Sequence, residues 1–269
     1  MRQLIAVTAG ILVLAAGAFA YGPLLPWSPV KPGYTAASFR SARVYYDGAR
    51  AMNPDYLAID DAMAEAEAFH KLKFRHPLTV IACKNWGDCG RGLPWLPVGN
   101  LGGVTLLTGG VIYITPKVEE KHLHTGEFLR HEISHALISQ NTSPLAVYEL
   151  GKHEWLFEGI AVAFGHQQDY FTRGEFLKQA AQTELANYID PIQRATPWNP
   201  RFAYPTERYF VEFIRNRFGE DRFASYLSKT IARPERAESM FGDTFGISFA
   251  EAIASYQKSV RAGAWPPAE

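Results

Sequence analysis

Apolar and polar positions divide the chain into three stretches with different periods. Leu4 to Ala20 is almost wholly apolar, and no charged residue falls between Arg2 and Lys31. Next come short apolar runs bounded by turn residues: Ala42-Arg43-Val44-Tyr45-Tyr46, Leu78 to Cys83, Val104 to Leu107 and Val111 to Ile114. Runs of this length and composition predict strands. Thr108-Gly109-Gly110 between the last two predicts a hairpin turn. Between the first two, Leu57, Ala58, Ala62, Ala66 and Phe69 recur at helical spacing, with acids early and lysines late, which predicts a helix over Pro54 to Phe74. Gly87 to Gly103, rich in Gly and Pro, is expected to be a loop. From Thr125 onward the spacing is helical almost to the end. A small sheet followed by a helical half is an α+β layout, and the chain shows no internal repeat.

The first stretch carries a choice that the residues leave open. Arg2, a short apolar core and Ala18-Phe19-Ala20 make the pattern of a cleavable export signal, while the length is at the lower limit for a membrane span. Pro23 and Pro26 end the segment in either case. Both alternatives place the bulk of the protein outside the cytoplasm, although Lys31, Arg40 and Arg43 after the segment run against the positive-inside bias. The expected organisation is therefore a signal or membrane anchor over 1–27, a linker over 28–41 and a single domain over 42–265, exported or held at the cell envelope. An oxidising compartment would let Cys83 and Cys89, the only two cysteines, close a small loop as a disulfide.

Composition narrows the class further. With 47% hydrophobic and 20% charged residues the chain is that of an ordinary globular protein. Lys plus Arg (27) equals Asp plus Glu (27), and no basic stripe is present that would follow a phosphate backbone, so nucleic acid is not an expected partner.

The chemistry is carried by His131-Glu132-Ile133-Ser134-His135, a His-Glu-x-x-His pattern. Phe128, Leu129, Ile133, Ala136 and Leu137 around it repeat every three and four residues, so the motif sits on a helix. Positions i and i+4 lie one above the other there, which turns both imidazoles to the same side, as two ligands of one zinc require. Glu132 is rotated away from the ligands and placed to act as a general base on water. Trp155-Leu156-Phe157-Glu158-Gly159-Ile160-Ala161 begins a second amphipathic helix after a break at Asn141 to Pro144. A carboxylate from it would complete two His and one Glu and leave a fourth position open, the donor set of a catalytic zinc. Spacing alone allows Glu154, one turn before Glu158, or Glu149 in that role. His122, His124, His153 and His166 are expected at the surface or in core hydrogen bonds, with His153 able to line the site.

His-Glu-x-x-His followed by Trp-Leu-x-Glu-Gly-x-Ala resembles the gluzincin metallopeptidases, especially compact peptidase MA-like domains and the aminopeptidase branch. The resemblance covers about Leu78 to Val260. It implies a zincin-like catalytic domain holding one zinc per chain, with Glu158 rather than Glu154 as third ligand. In Ala203-Tyr204-Pro205-Thr206-Glu207-Arg208-Tyr209-Phe210, leading to Phe218-Gly219, it implies that Tyr204 stabilises the oxyanion. Pro205 suits a first helical turn, which would put Tyr204 at the helix mouth. The pattern departs from the aminopeptidases in Asn100-Leu101-Gly102-Gly103-Val104-Thr105, where their Gly-x-Met-Glu-Asn element would hold a free amino terminus. Val162, one turn after Glu158, likewise offers no carboxylate to a histidine ligand.

The expected activity is hydrolysis of peptide bonds in a peptide or protein substrate by a water activated at zinc. Cleavage within a chain fits better than trimming from its end, and an edge strand near Val104 to Leu107 is placed to pair with an extended substrate. The alternatives are a non-catalytic zinc-binding envelope protein of the same fold, or a zinc amidase acting on peptidoglycan peptides. Membrane contact is expected only through the N-terminal segment, if uncleaved.

Overall fold

The computed structural model describes residues 30–94, 96–167, 172–190 and 199–266, together with 24–28 and isolated positions before them. The apolar N-terminal run lies almost entirely outside the described residues. Among the described residues no helix is long and apolar enough to cross a membrane. The chain divides into two compact units.

The first unit is built on a five-stranded mixed sheet: β1 (Thr35–Ser38), β2 (Ala42–Tyr46), β3 (Leu78–Ala82), β4 (Gly103–Thr105) and β5 (Val111–Ile114), in spatial order β1-β2-β3-β5-β4. β2, β3 and β5 run parallel, with Val44 opposite Val80 and Val80 opposite Ile112. β1 and β4 flank them antiparallel. All four residues of β5 are buried, as expected of an inner parallel strand covered on both faces. Strand β1 falls inside the stretch that the sequence suggests is a linker. The expected loop over 87–103 contains a short helix, α2 (Trp86–Gly92), because Asn85 caps it by accepting from the Asp88 amide and Cys89 on it is bonded to Cys83 just after β3. The cap and the covalent tie outweigh the helix-breaking content of the segment. Ahead of α2 in the chain, the predicted helix over Pro54 to Phe74 resolves into a 3₁₀ turn, Pro54–Ala58, and α1 (Ile59–His70), with Leu57 exposed.

The second unit is helical. It takes in α1 from Ala62 and, after α3 (Pro116–Glu120) of the first unit, α4 (Thr125–Gln140) from Arg130 onward, followed by α5 (Pro144–Leu150), α6 (Glu154–Gly165), α7 (Arg173–Ala180), α8 (Ala186–Ile189), α9 (Pro200–Phe218), α10 (Glu220–Ala232), α11 (Ala237–Phe245) and α12 (Phe249–Arg261). α9 starts earlier than the sequence suggests. Asn199 caps it, Pro200 takes the first-turn position, and Pro205 lies inside. Phe202, Thr206, Phe210 and Ile214, all fully buried, form its core stripe at helical spacing, and Gly219, at φ 89°, ends it. Trp155 of α6, Phe210, Tyr226 of α10, Phe241 and Phe249 surround one another at ring separations of 5.2–6.1 Å, and this aromatic cluster forms the centre of the helical core.

The α4 motif is braced from behind. His70, fully buried at the end of α1, uses one nitrogen on the Ala66 carbonyl at 2.8 Å and the other on Ser134 Oγ at 2.8 Å. A carbonyl only accepts, so Nδ1 carries the proton and Nε2 accepts from the Ser134 hydroxyl. Burial, with Arg215 and His135 nearby, holds the His70 pKa down to about 4, outweighing its hydrogen bond to Ala66. The unfolded chain therefore binds the extra proton between about pH 6.5 and 4, and stability falls as pH drops through that window. Replacing His70 with Gln is expected to lessen the loss of stability between pH 7 and pH 5 by on the order of 2 kcal/mol. Denaturant titrations of both proteins at the two pH values check this; equal losses would contradict it.

Candidate metal centre

Three donors converge within the helical unit. His131 and His135, one turn apart on α4, and Glu158 on α6 each present a ligand atom, and these atoms lie within 4.8 Å of one another. Among the described residues no other group of three potential ligands meets that test. Glu158 Oε2 is 3.4 Å from His131 Nε2, and Oε1 is 3.5 Å from His135 Nε2. The two Nε2 atoms are 2.9 Å apart. Two ligands each about 2.0–2.1 Å from a zinc ion at the tetrahedral angle stand about 3.4 Å from each other. The carboxylate distances match that figure, and the imidazole pair would open by about half an ångström to reach it. Two imidazoles and one carboxylate are also the donor set that leaves a fourth position for reaction, and 21% of the Glu158 side chain remains accessible.

Electrostatics reinforce the convergence. Burial works against an ionised Glu158, but the field of His135 and hydrogen bonds from both imidazoles outweigh it and hold the carboxyl well below the usual carboxylate range. For His131, burial alone would lower its proton affinity. Its hydrogen bond to Glu158 and the charges of Glu158 and Glu132 outweigh that and raise it. The pocket is thus one in which a negative carboxylate draws positive charge to the point that the imidazoles face. The Phe157 ring lies against His135, centroid to centroid 4.2 Å, and limits its rotation. Glu132 is buried beside His131 on α4.

The rivals for the third ligand are placed elsewhere. Glu154 is the first residue of α6 and does not join the cluster, and Glu149 pairs with Lys152 at 2.6 Å near the surface. His153 precedes α6 as its capping residue. Tyr204 is half-buried in the second turn of α9, a turn later than the helix mouth. The short helix α5 fills the break between α4 and α6. The small residue after Glu158 serves a contact with α9. A Cβ on Gly159 would meet the Glu207 carbonyl oxygen of α9 at 2.8 Å, so the glycine lets α6 lie against the helix that carries Tyr204.

One residue at the site is not recoverable from spacing. Gln167 follows His166, whose left-handed backbone (φ 53°) ends α6. It is buried, and its side-chain dipole near His131 is the least of the influences that raise that ring's proton affinity. Nothing in a lone Gln after an apolar helix signals this.

Replacing Glu158 with Ala is expected to weaken zinc binding by more than the roughly 10–100-fold that loss of an outer hydrogen-bond partner costs. Replacing Glu154 with Ala should leave affinity within about threefold of wild type. Competition titrations against a chromophoric chelator measure both, and the reverse ranking would move the third ligand to Glu154.

No protein-family model and no curated protein matches the sequence. Solved structures do. An M1 zinc metallopeptidase from Deinococcus radiodurans is 15% identical with a TM-score of 0.44, over 87% of this chain and 53% of that one. A mutant of that enzyme bound to a Tyr-Ser-Ala substrate is 17% identical with a TM-score of 0.47 over the same shares. A two-domain M1 zinc metallopeptidase mutant bound to L-arginine is 14% identical, TM-score 0.44, over 87% and 52%. The chain spans about half the length of these relatives. The fold is α+β, with a mixed sheet followed by helices; it resembles M1 zinc metallopeptidases, and its His131, His135 and Glu158 stand in the His-Glu-x-x-His…Glu arrangement.

Proposed function

We propose that the protein is a zinc-dependent peptidase that cleaves within peptide chains. The observation that carries this reading is the convergence of His131, His135 and Glu158 on one point, with the buried carboxylate of Glu132 beside them. Zinc held there by those three side chains supplies Lewis-acid polarisation of the scissile carbonyl and makes water more acidic. Glu132 takes a proton from the attacking water and passes it to the leaving amine. Tyr204 donates its phenolic hydrogen to the developing oxyanion. The half-buried position of that ring, on a helix brought close to α6 by Gly159, supports the assignment.

Internal cleavage is favoured over amino-terminal trimming because Asn100 to Thr105 contains no acid to bind a free ammonium group. A location in the cell envelope is supported by the apolar N-terminal run and by the Cys83–Cys89 disulfide.

Glu132→Gln is expected to retain zinc and lose hydrolysis by about 10²–10⁴-fold, since an amide does not accept the proton. Tyr204→Phe should retain zinc and lower kcat by roughly 10²–10³-fold. Both are read on an unbiased peptide library by mass spectrometry, with zinc measured alongside. Products from internal bonds support the proposal. Exclusive release of amino-terminal residues would replace it with an aminopeptidase, and a zinc-loaded protein inert on every peptide would favour a non-catalytic role.

A further inference from the structure

We infer that the first unit rests against a lipid bilayer through Leu24, Trp27 and Val30, fastened by Lys31, with the apolar residues 4–20 held in the same bilayer. The inference deepens the envelope location proposed above and rests on it; it is independent of the metal site.

Leu24, Trp27 and Val30 are 38%, 49% and 66% exposed, and the stretch that carries them has no charged residue between Arg2 and Lys31. A short 3₁₀ turn, Leu25–Trp27, sorts its side chains. At three residues per turn Leu24 and Trp27 fall on one side, while Leu25, Pro26 and Ser28 are buried. The turn packs against α2 within the first unit. The exposed apolar side chains therefore belong to a segment that is docked on the protein, and a group of them marks a surface with a partner.

Lys31 makes the docking firm. It is 4% exposed, and its ammonium donates to the carbonyls of Leu25 at 2.7 Å, Ser28 at 2.8 Å and Pro26 at 3.3 Å. An ammonium has three N–H donors, so each of them finds a carbonyl. The same Nζ stands 4.7 Å from the centre of the Tyr45 ring on β2. The first charge after the apolar run is thus turned inward, tying the turn to the sheet and leaving the outer side uncharged. Just beyond, Lys84 donates to the Gly33 carbonyl at 3.3 Å, a second tie between this segment and the unit.

The partner is indicated by the chain that precedes the turn. Of the apolar run, Gly10, Ala15 and Gly17 are helical and exposed, and a Cβ on either glycine would meet nothing within 4 Å. Protein does not cover the run at those positions, and a helical apolar stretch left in water gains by entering lipid. A bilayer that takes in residues 4–20 meets the chain again at 24–30, where a Trp ring suits the headgroup level. One medium then covers both the run and the three side chains, whereas a second protein seated on the turn would leave the run in water.

The test uses the full chain with a nitroxide attached at Val30→Cys or Ala15→Cys, reconstituted in vesicles of phosphatidylcholine and phosphatidylglycerol. Both labels are expected to lose collisions with a water-soluble nickel chelate and to keep those with oxygen. Free access of the chelate to Val30 with Ala15 shielded would overturn the inference and leave the envelope location standing. Free access at both positions would sink that location as well. Dipolar broadening between Val30 labels that vanishes on dilution with unlabelled protein would give the surface to a second copy, and overturns the inference. Lys31→Met, which keeps an apolar stem and no donor, is expected to speed the motion of the Val30 label; unchanged motion would overturn the fastening. If Lys31→Met does not fold, the two labelled proteins with Lys31 intact still decide whether the surface meets lipid.

Discussion

The helical unit depends on a buried charge problem and its solution. Glu158 is ionised in a setting where burial opposes its charge, and a carboxylate taken from water is stable only if positive charge or donors replace the solvent. Here the replacement is a pair of imidazoles one turn apart on α4, 3.4 and 3.5 Å away. Each group is tolerated because of the others. Removing any one leaves uncompensated charge or idle nitrogen, which is why the same three residues that could bind a metal also constrain how α4 and α6 face each other.

That constraint spreads outward through packing. α6 carries Glu158 and buries Trp155, Leu156, Ile160 and Phe164 on its remaining faces. It can do so while lying close to α9 because Gly159 presents no side chain to the Glu207 carbonyl. A methyl group there would need a shift of backbone rather than of a flexible side chain, and the helix bearing Tyr204 would move away from the one bearing Glu158. On the far side of α4, the His70–Ser134 hydrogen bond fixes the motif from the rear. Gly109, with φ 66°, brings a turn against the carbonyl of Ala136 and the backbone of Gln140, where any Cβ would collide, and Gln140 closes the contact by donating to the Gly109 carbonyl at 2.8 Å. The site is therefore supported by main-chain contacts as much as by its own side chains.

The legible parts of this architecture were those with a strong period or a rigid motif. The strands at 42–46, 78–82 and 111–114 and the helix around His131 follow from apolar spacing. The approach of His131 and His135 to each other follows from i and i+4 geometry. Spacing alone leaves Glu158 level with Glu154; the family resemblance separates them, and in space it is Glu158 that stands with the two histidines. Less legible were features set by tertiary contacts. α2 forms in a Gly-rich segment because a cap and a disulfide hold it. α9 begins at Pro200 because of Asn199, so the proline after Tyr204 was the wrong one on which to place the helix start. The role of Gly159 is likewise set by a tertiary contact, the Glu207 carbonyl of α9. Gln167 had no sequence signal, since a single polar residue beyond a helix end acquires meaning only when the fold brings His131 to it.

The central claim is that His131, His135 and Glu158 together hold a zinc ion. X-ray absorption at the zinc edge of the purified, zinc-loaded full chain tests it most directly. The account predicts one zinc per chain with only nitrogen and oxygen neighbours at about 2.0–2.1 Å, and outer scattering from two imidazole rings that falls to one in His135→Ala. Sulfur neighbours at about 2.3 Å, or imidazole scattering unchanged by that substitution, would place the metal elsewhere and contradict the account.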